Sequence, residues 1–467
     1  MIPLLLLMVA LPVLFLAMIG VLKRYSSLIA TISSITGLAL TLAVIATAIM
    51  GSSPNISENY GYITSLNIGF NLRTNAASLV LLLMSSIVIF ITALSGNISK
   101  DRERIASLLL VLFQIGATGI FLSGNLFIFF IFWDIGVIAP FFMINVLGSA
   151  NRKTASYKFI LYEIFASALL LFAILLMYFY SPGHSLSISA LASTSTMPVG
   201  IQESIFLLLF IAFMINMPIF PLHAWLPDAH SEASTQGSMV LSGILTKFGG
   251  FGMLIIFAMP IAKSYAGIIA LLAAISAFYA AFLIMRQSDI KRIVAHTTIV
   301  EMSIIMFAIA TLTVPGTSGS IYGMFAHGLA VAMLFLAAGA VEHIFHDRNI
   351  NILKGISHNA KLTAYIFLIG IFAITGVPLT ASFIADVFMF IGAISAFGLF
   401  GIVPLFSLVL MGAFMYFVIN KSFFANKERT SADGFITVRQ KIGYSVLLSA
   451  LFLFGILPFI LLKLINA

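Results

Sequence analysis

The sequence predicts an all-α polytopic membrane protein of about fourteen transmembrane helices, and three observations predict it: composition, apolar windows of spanning length, and the sorting of basic residues. Of 467 residues, 61% are apolar and only 8% charged, with a mean hydropathy of +1.16. A soluble domain carries roughly 25% charged residues, so this chain lacks the polar side chains to cover a water-facing surface, and lipid is its main solvent. There are no cysteines, which excludes disulfides, thiolate metal sites and cysteine-ligated iron–sulfur clusters. Redox chemistry is therefore expected in other polypeptides, and no cofactor is expected in this chain.

A spanning helix needs roughly 20 mostly apolar residues. Windows that meet this run over 2–22, 27–50, 76–96, 105–123, 125–148, 157–180, 202–221, 238–260, 265–285, 293–313, 318–342, 362–392, 397–420 and 442–464. Ser123-Gly124-Asn125 divides the long apolar stretch 105–148, and the 362–392 window reads as a broken helix. Met1-Ile2-Pro3-Leu4 offers no basic flank ahead of its apolar run, so it is expected to open the first span and not a cleaved signal peptide.

The basic residues check the count. Arg73, Lys263 and Lys463 fall on one side, Lys247 lies inside a helix, and the other nineteen of the 23 follow odd-numbered helices, among them Arg152, Lys153, Lys421, Lys427 and Arg429. By the positive-inside rule those loops face the cytoplasm and both termini lie outside. The net charge of +8 is thus topology charge, and no nucleic-acid partner is expected.

Two predicted helices carry breakers mid-span. Helix 7 has Pro218 and Pro221 and runs into Leu222-His223-Ala224-Trp225-Leu226-Pro227-Asp228-Ala229-His230, while helix 12 has Gly376-Val377-Pro378-Leu379-Thr380. Proline removes a backbone donor, and in lipid such a break persists only where it is packed in protein or lines a wet cavity. The breaks lie five helices apart, so two five-helix units, helices 4–8 and 9–13, would have opposite orientation. Matching interrupted helices in inverted halves point to a transport site. The expected divisions are 1–104 for helices 1–3, 105–260 and 261–420 for the two repeats, and 421–467 for the last loop and helix.

Six ionisable residues fall at bilayer depth: Asp134, Glu163, Lys247, Glu301, His327 and Asp386. Each costs at least roughly 2.5–3.5 kcal/mol to insert when charged. Burial disfavours the charged form and brings such groups toward proton exchange near neutral pH, as a relay requires. Structural roles compete. Glu163 is near enough to the cytoplasmic end to pair with Lys158, and a lone His327 reads as a hydrogen-bonded core histidine. Glu342-His343-Ile344-Phe345-His346-Asp347 has a His-x-x-His spacing but reads as a solvated helix end, with no metal expected. No glycine-rich phosphate loop is present.

The segment from Phe220-Pro221-Leu222-His223-Ala224-Trp225-Leu226-Pro227-Asp228-Ala229-His230 to Ala233 resembles the signature of the antiporter-like subunits of respiratory complex I, a superfamily shared with membrane-bound hydrogenases and multisubunit Na+/H+ antiporters. Ala155-Ser156-Tyr157-Lys158-Phe159, Lys247-Phe248-Gly249-Gly250, Asp289-Ile290-Lys291-Arg292, His327-Gly328-Leu329 and Gly376-Val377-Pro378 add to the likeness, which covers roughly residues 70–420 and is greatest to the M-type subunit. Pro378-Leu379-Thr380-Ala381 is closer to the L-type. The resemblance implies proton transfer along Lys247, His327, Glu301 and Asp386, no cofactor, and sibling antiporter-like subunits as partners, with Na+ as an alternative ion. It also marks His223 and Asp228 within the signature. Asp134 takes the place of a family glutamate, and Asn216 the place of the lysine that pairs with it. A carboxylate beside a lysine is held ionised, and one facing an amide loses that hold. The first half-channel is therefore expected either to work differently, through Glu163, or to have become scaffold.

Overall fold

A computed structural model of the chain describes residues 3–51, 53–63, 68–95, 100–426 and 436–466. Lys427 and Arg429 lie outside the described residues, as does the start of the first apolar window. The chain opens with α1 (Leu4–Val21) and α2 (Ser26–Met50), then a hairpin of β1 (Ser57–Ile63) and β2 (Ile68–Arg73). Next come α3 (Ala76–Leu94), α4 (Lys100–Leu122), α5 (Leu126–Leu147) and α6 (Arg152–Tyr180). The first broken region is α7 (Val199–Asn216), α8 (Trp225–Glu232), α9 (Thr235–Val240) and α10 (Thr246–Ile256). Then follow α11 (Ala262–Ile284), α12 (Ile290–Ala310), α13 (Val314–Phe345) and the short α14 (Ile356–Asn359). The second break separates α15 (Lys361–Ile374) from α16 (Ala381–Phe397), and α17 (Phe406–Val418), α18 (Val438–Ile456) and α19 (Phe459–Ile465) end the chain.

Helix underlies every apolar window. The loop between α2 and α3, however, contains the antiparallel hairpin, paired Ser57↔Arg73 and Tyr60↔Phe70. Among the described residues, twelve helices are long and apolar enough to cross a membrane, or thirteen if α18 and α19, bent by 74°, form one span. The difference from fourteen arises at the second break. There α15 is too short to span alone, and 381–423 counts as one 43-residue stretch. That stretch is about twice what a bilayer needs, and Gly398 at φ +58 interrupts it.

Helix starts follow local chemistry. The Asn125 side chain accepts from the Phe127 amide at the head of α5 (2.7 Å), and Asp289 does the same for Lys291 at the head of α12 (2.8 Å). Such caps satisfy amides that have no intrahelical acceptor. The centre of the molecule is α12 and α13, whose spanning windows are wholly buried, whereas α1, α2 and α6 turn most of their surface outward. α10 reaches this centre through close backbone approach: a Cβ on Gly249 would stand 2.6 Å from the Phe213 carbonyl of α7. Without a hydrophobic drive between helices in lipid, such small-residue contacts bring backbones together.

Candidate proton-transfer site

The segment Leu241–Leu245 between α9 and α10 is a π-helical turn, the kind of local widening that recurs at functional sites. It frees the Ser242 carbonyl, and the Lys247 ammonium donates to that oxygen (2.5 Å), to Thr246 Oγ1 (3.2 Å) and to His327 Nδ1 (2.6 Å). Lys247 is fully buried, and a buried ammonium is tolerated only when its donors are matched, as here. His327, from the middle of α13, accepts at Nδ1, and its Nε2 is buried with no protein partner. Glu301 projects from α12, almost fully buried, within electrostatic range of both Lys247 and Asp386. Asp386 sits on α16, just past the second break. Its carboxylate lies against Gly376, where a Cβ would come within 1.9 Å of Oδ2, and Gly376 holds φ +68. The broken backbone thus packs directly on the carboxyl group. Four of the predicted residues, Lys247, His327, Glu301 and Asp386, are therefore brought together.

The first half departs from expectation. Glu163 does not pair with Lys158. Five residues apart on α6, the two point about 140° apart around the helix, and Lys158 instead binds Asp228 (2.6 Å). Asn216 faces Glu163 and not Asp134: its Nδ2 donates to Glu163 Oε1 and Oε2, each at 3.3 Å. Asn216 Oδ1 accepts from the Gly249 amide (2.9 Å), so the amide joins Glu163 to α10 two residues from Lys247. Asp134 takes a hydrogen bond from Ser167 (2.6 Å) and lines with Glu163 a cavity of about 570 Å³ between α5 and α6.

His223 is buried against Phe220 and Tyr279, with Nδ1 unpartnered. Asp228 binds Lys158 through Oδ2 and Arg292 through Oδ1, both at 2.6 Å. The Glu342–His346 helix end is more than solvated surface, since Glu342 pairs with the buried Lys291 (2.6 Å). Among the described residues, no group of three or more His, Cys, Asp or Glu is placed to hold a metal ion. His230 is the residue that sequence reasoning passed over. It is fully buried, stacked on Phe335 at 4.4 Å, and neither ring nitrogen has a partner among the described residues. Its place in the proline-flanked signature was the available signal.

Broken helices meeting a buried row of Lys, His and carboxylate side chains define a polytopic membrane protein built around an internal polar axis. Residues 123–412 match the family described as "NADH:quinone oxidoreductase/Mrp antiporter, TM", and the chain belongs to that family. It is similar to NAD(P)H-quinone oxidoreductase chain 4 1 of Synechococcus sp. (strain JA-2-3B'a(2-13)), 30% identical over 73% of this chain and 65% of that one. NADH-quinone oxidoreductase subunit M of Rickettsia bellii is 30% identical over 72% and 68% of the respective chains. The matched stretch thus spans about two thirds of these relatives, slightly less in the Synechococcus protein. The F(420)H(2) dehydrogenase subunit M of Methanosarcina mazei is 28% identical over 79% of this chain and 76% of that one. In fold, the chain matches one in respiratory complex I from Thermus thermophilus (TM-score 0.87, 22% identity, 99% and 97% of the two chains covered). It also matches a chain of the Mrp complex from Dietzia sp. DQ12-45-1b (TM-score 0.88, 19% identity, 99% and 96% covered).

Proposed function

We propose that this chain is a proton-translocating, antiporter-like subunit of a complex I-related, redox-driven assembly in the cytoplasmic membrane. Protons are loaded from the cytoplasm, pass along Lys247, His327, Glu301 and Asp386, and leave on the outer side. The observation that carries this reading is the fully buried Lys247 ammonium, 2.6 Å from His327 Nδ1. A lysine and a histidine in direct contact inside the protein share protons readily, because the low dielectric makes two adjacent cations costly. The relatives are named as oxidoreductase subunits, and a chain without cysteine holds no cysteine-ligated iron–sulfur cluster, which supports redox centres in other polypeptides. Sibling antiporter-like subunits would extend the polar axis along the membrane.

Fourteen crossings, two inverted repeats and external termini belong to the same proposal. Contacts between helix ends support this topology. Glu58 of the hairpin accepts from the Leu5 and Leu6 amides (3.0 and 2.9 Å), and Asn466 meets Ser318, both on the expected outer side. Arg104 donates to the Gly20 carbonyl on the expected inner side.

The test uses the intact complex in vesicles. Lys247→Met, which fills similar volume without charge, should abolish proton uptake while the complex still assembles. Lys247→Arg should impair uptake as well, because guanidinium does not deprotonate in a protein. Normal uptake by the Met variant overturns the relay. Since the family also holds Mrp antiporters, a Na+/H+ antiporter subunit is the second reading, marked by proton uptake that requires sodium and no reductant. A non-pumping scaffold is the third. Asn216 favours it for the first half, and the buried axis of the second half opposes it.

A further inference from the structure

Four cationic side chains converge on the short helix α8, two in ion pairs and two in hydrogen bonds to carbonyls. Asp228, in its first turn, is held by Lys158 from the start of α6 and by Arg292 from the start of α12. At its other end, the Lys291 ammonium donates to the Ala233 carbonyl (3.0 Å) and the Arg348 guanidinium to the Ser231 carbonyl. A two-turn helix between two breaks leaves its last carbonyls unmatched, and these cations supply the missing donors. The helix is thus pinned at its C-terminal end, while the carboxylate on its first turn joins α6 to α12, one element from each proposed repeat.

Exposure changes sharply across this contact. The Lys158, Asp228 and Arg292 side chains are each about one third exposed, on the side where the basic loops lie. Three imidazoles are buried: His296, whose Nδ1 meets the Arg292 carbonyl (2.8 Å), and His223 and His230, which flank Asp228 along the chain. His223 Nδ1 and both nitrogens of His230 have no protein partner. A buried polar atom left unpaired costs about 1–3 kcal/mol, and the two nitrogens of His230 above all call for water, which bridges buried polar groups wherever protein does not. Ser238 of α9 donates to the His230 carbonyl (3.4 Å), which sets His230 against the segment that leads to Ser242 and Lys247.

We propose that Lys158, Asp228 and Arg292 form the cytoplasmic gate of a water-lined inlet that runs past His223 and His230 to Lys247. This rests on the transport reading above and adds the point at which access is controlled. Here the gate is shut: each Asp228 oxygen holds one cation. Releasing either cation frees the N-terminal end of α8 to tilt about its pinned C-terminal end. Movement of α12, which carries Glu301, pulls Arg292 directly and so ties access to the state of the second half.

The experiment reads access, not pumping. Ser238 is fully buried on α9 and donates to the His230 carbonyl (3.4 Å), and the chain has no cysteine of its own. Ser238→Cys in the intact complex is labelled with a membrane-impermeant thiosulfonate added from the cytoplasmic side. Labelling should be slow in the parent. It should rise at least about tenfold in Arg292→Gln and in Lys158→Gln, a tenfold shift in open population, and return toward the parent rate in Arg292→Lys. Unchanged labelling in an assembled Gln variant overturns the gate and leaves the ion pairs as structural pins. So does an increase equally present in Arg292→Lys. If Arg292→Gln does not assemble, Lys158→Gln decides alone, since it removes the other cation on α6. A gated response together with normal uptake by Lys247→Met would keep the inlet and reject the relay, so the two failures are distinguishable.

Discussion

Asn216 shows how one residue can rewire a buried site. A lysine at this place would bring a charge, while the amide brings one donor group to both Glu163 oxygens and one acceptor to the Gly249 amide. The result is a neutral link from the α5–α6 cavity to the helix that carries Lys247. If Glu163 exchanges protons across this link, Glu163→Gln keeps an acceptor for Asn216 but carries no proton. Uptake should then fall by more than about tenfold, equivalent to about 1.4 kcal/mol on a rate, with assembly intact on a native gel. Asn216→Lys should have a comparable effect by a different route, since a cation against both oxygens holds the carboxylate ionised. Asp134, bound to Ser167 at the cavity wall, should matter less, and Asp134→Asn should retain most of the uptake. Superimposed uptake curves for all three variants would make the first half scaffold.

At the scale of elements, the two breaks do different work. The first detaches α8, whose polar side chains and unmatched last carbonyls are gripped from both halves. The second is built around Gly376, whose positive φ and absent Cβ let the chain turn against Asp386. An L-residue in the left-handed region costs roughly 1–2 kcal/mol, and at Gly376 a Cβ would also displace the carboxylate. Gly376→Ala should therefore lower the amount of assembled complex modestly and proton uptake severely. The check is uptake normalised to assembled complex. If uptake falls only in proportion to assembly, the break is architectural and Asp386 does not need this seat.

At the scale of the whole molecule, side is the testable property. The chain contains no cysteine, so single cysteines report cleanly. Asn55→Cys just ahead of the hairpin and Asn466→Cys at the end of the last helix should react with an impermeant maleimide from outside, and Lys153→Cys from the cytoplasm. Cytoplasmic labelling of Asn466→Cys would require an odd number of crossings and remove the fourteen-span, two-repeat proposal. Cytoplasmic labelling of Lys153→Cys would place the Asp228 gate on the cytoplasmic face, because Lys158 and Arg292 lie near the starts of helices that begin on the Lys153 side.

Much of this was legible in the sequence. Lipid imposes a simple rule, roughly 20 apolar residues per crossing with backbone groups satisfied within the helix, so composition and window length alone placed helix throughout the apolar stretches. Proline and glycine marked both breaks for the same reason, since each disrupts local hydrogen bonding or backbone freedom wherever it stands. The cost of burying charge singled out the six ionisable residues. Tertiary structure alone decided their partners. Lys158 chose Asp228 over Glu163, Asn216 chose Glu163 over Asp134, and Lys291 found Glu342, each across a separation of more than 50 residues. The hairpin of 57–73 and the unpartnered His230 also emerged only in three dimensions. Helix formation in a membrane depends on each segment and its solvent, whereas a buried polar group is satisfied by whatever the packing of distant helices brings within 3 Å.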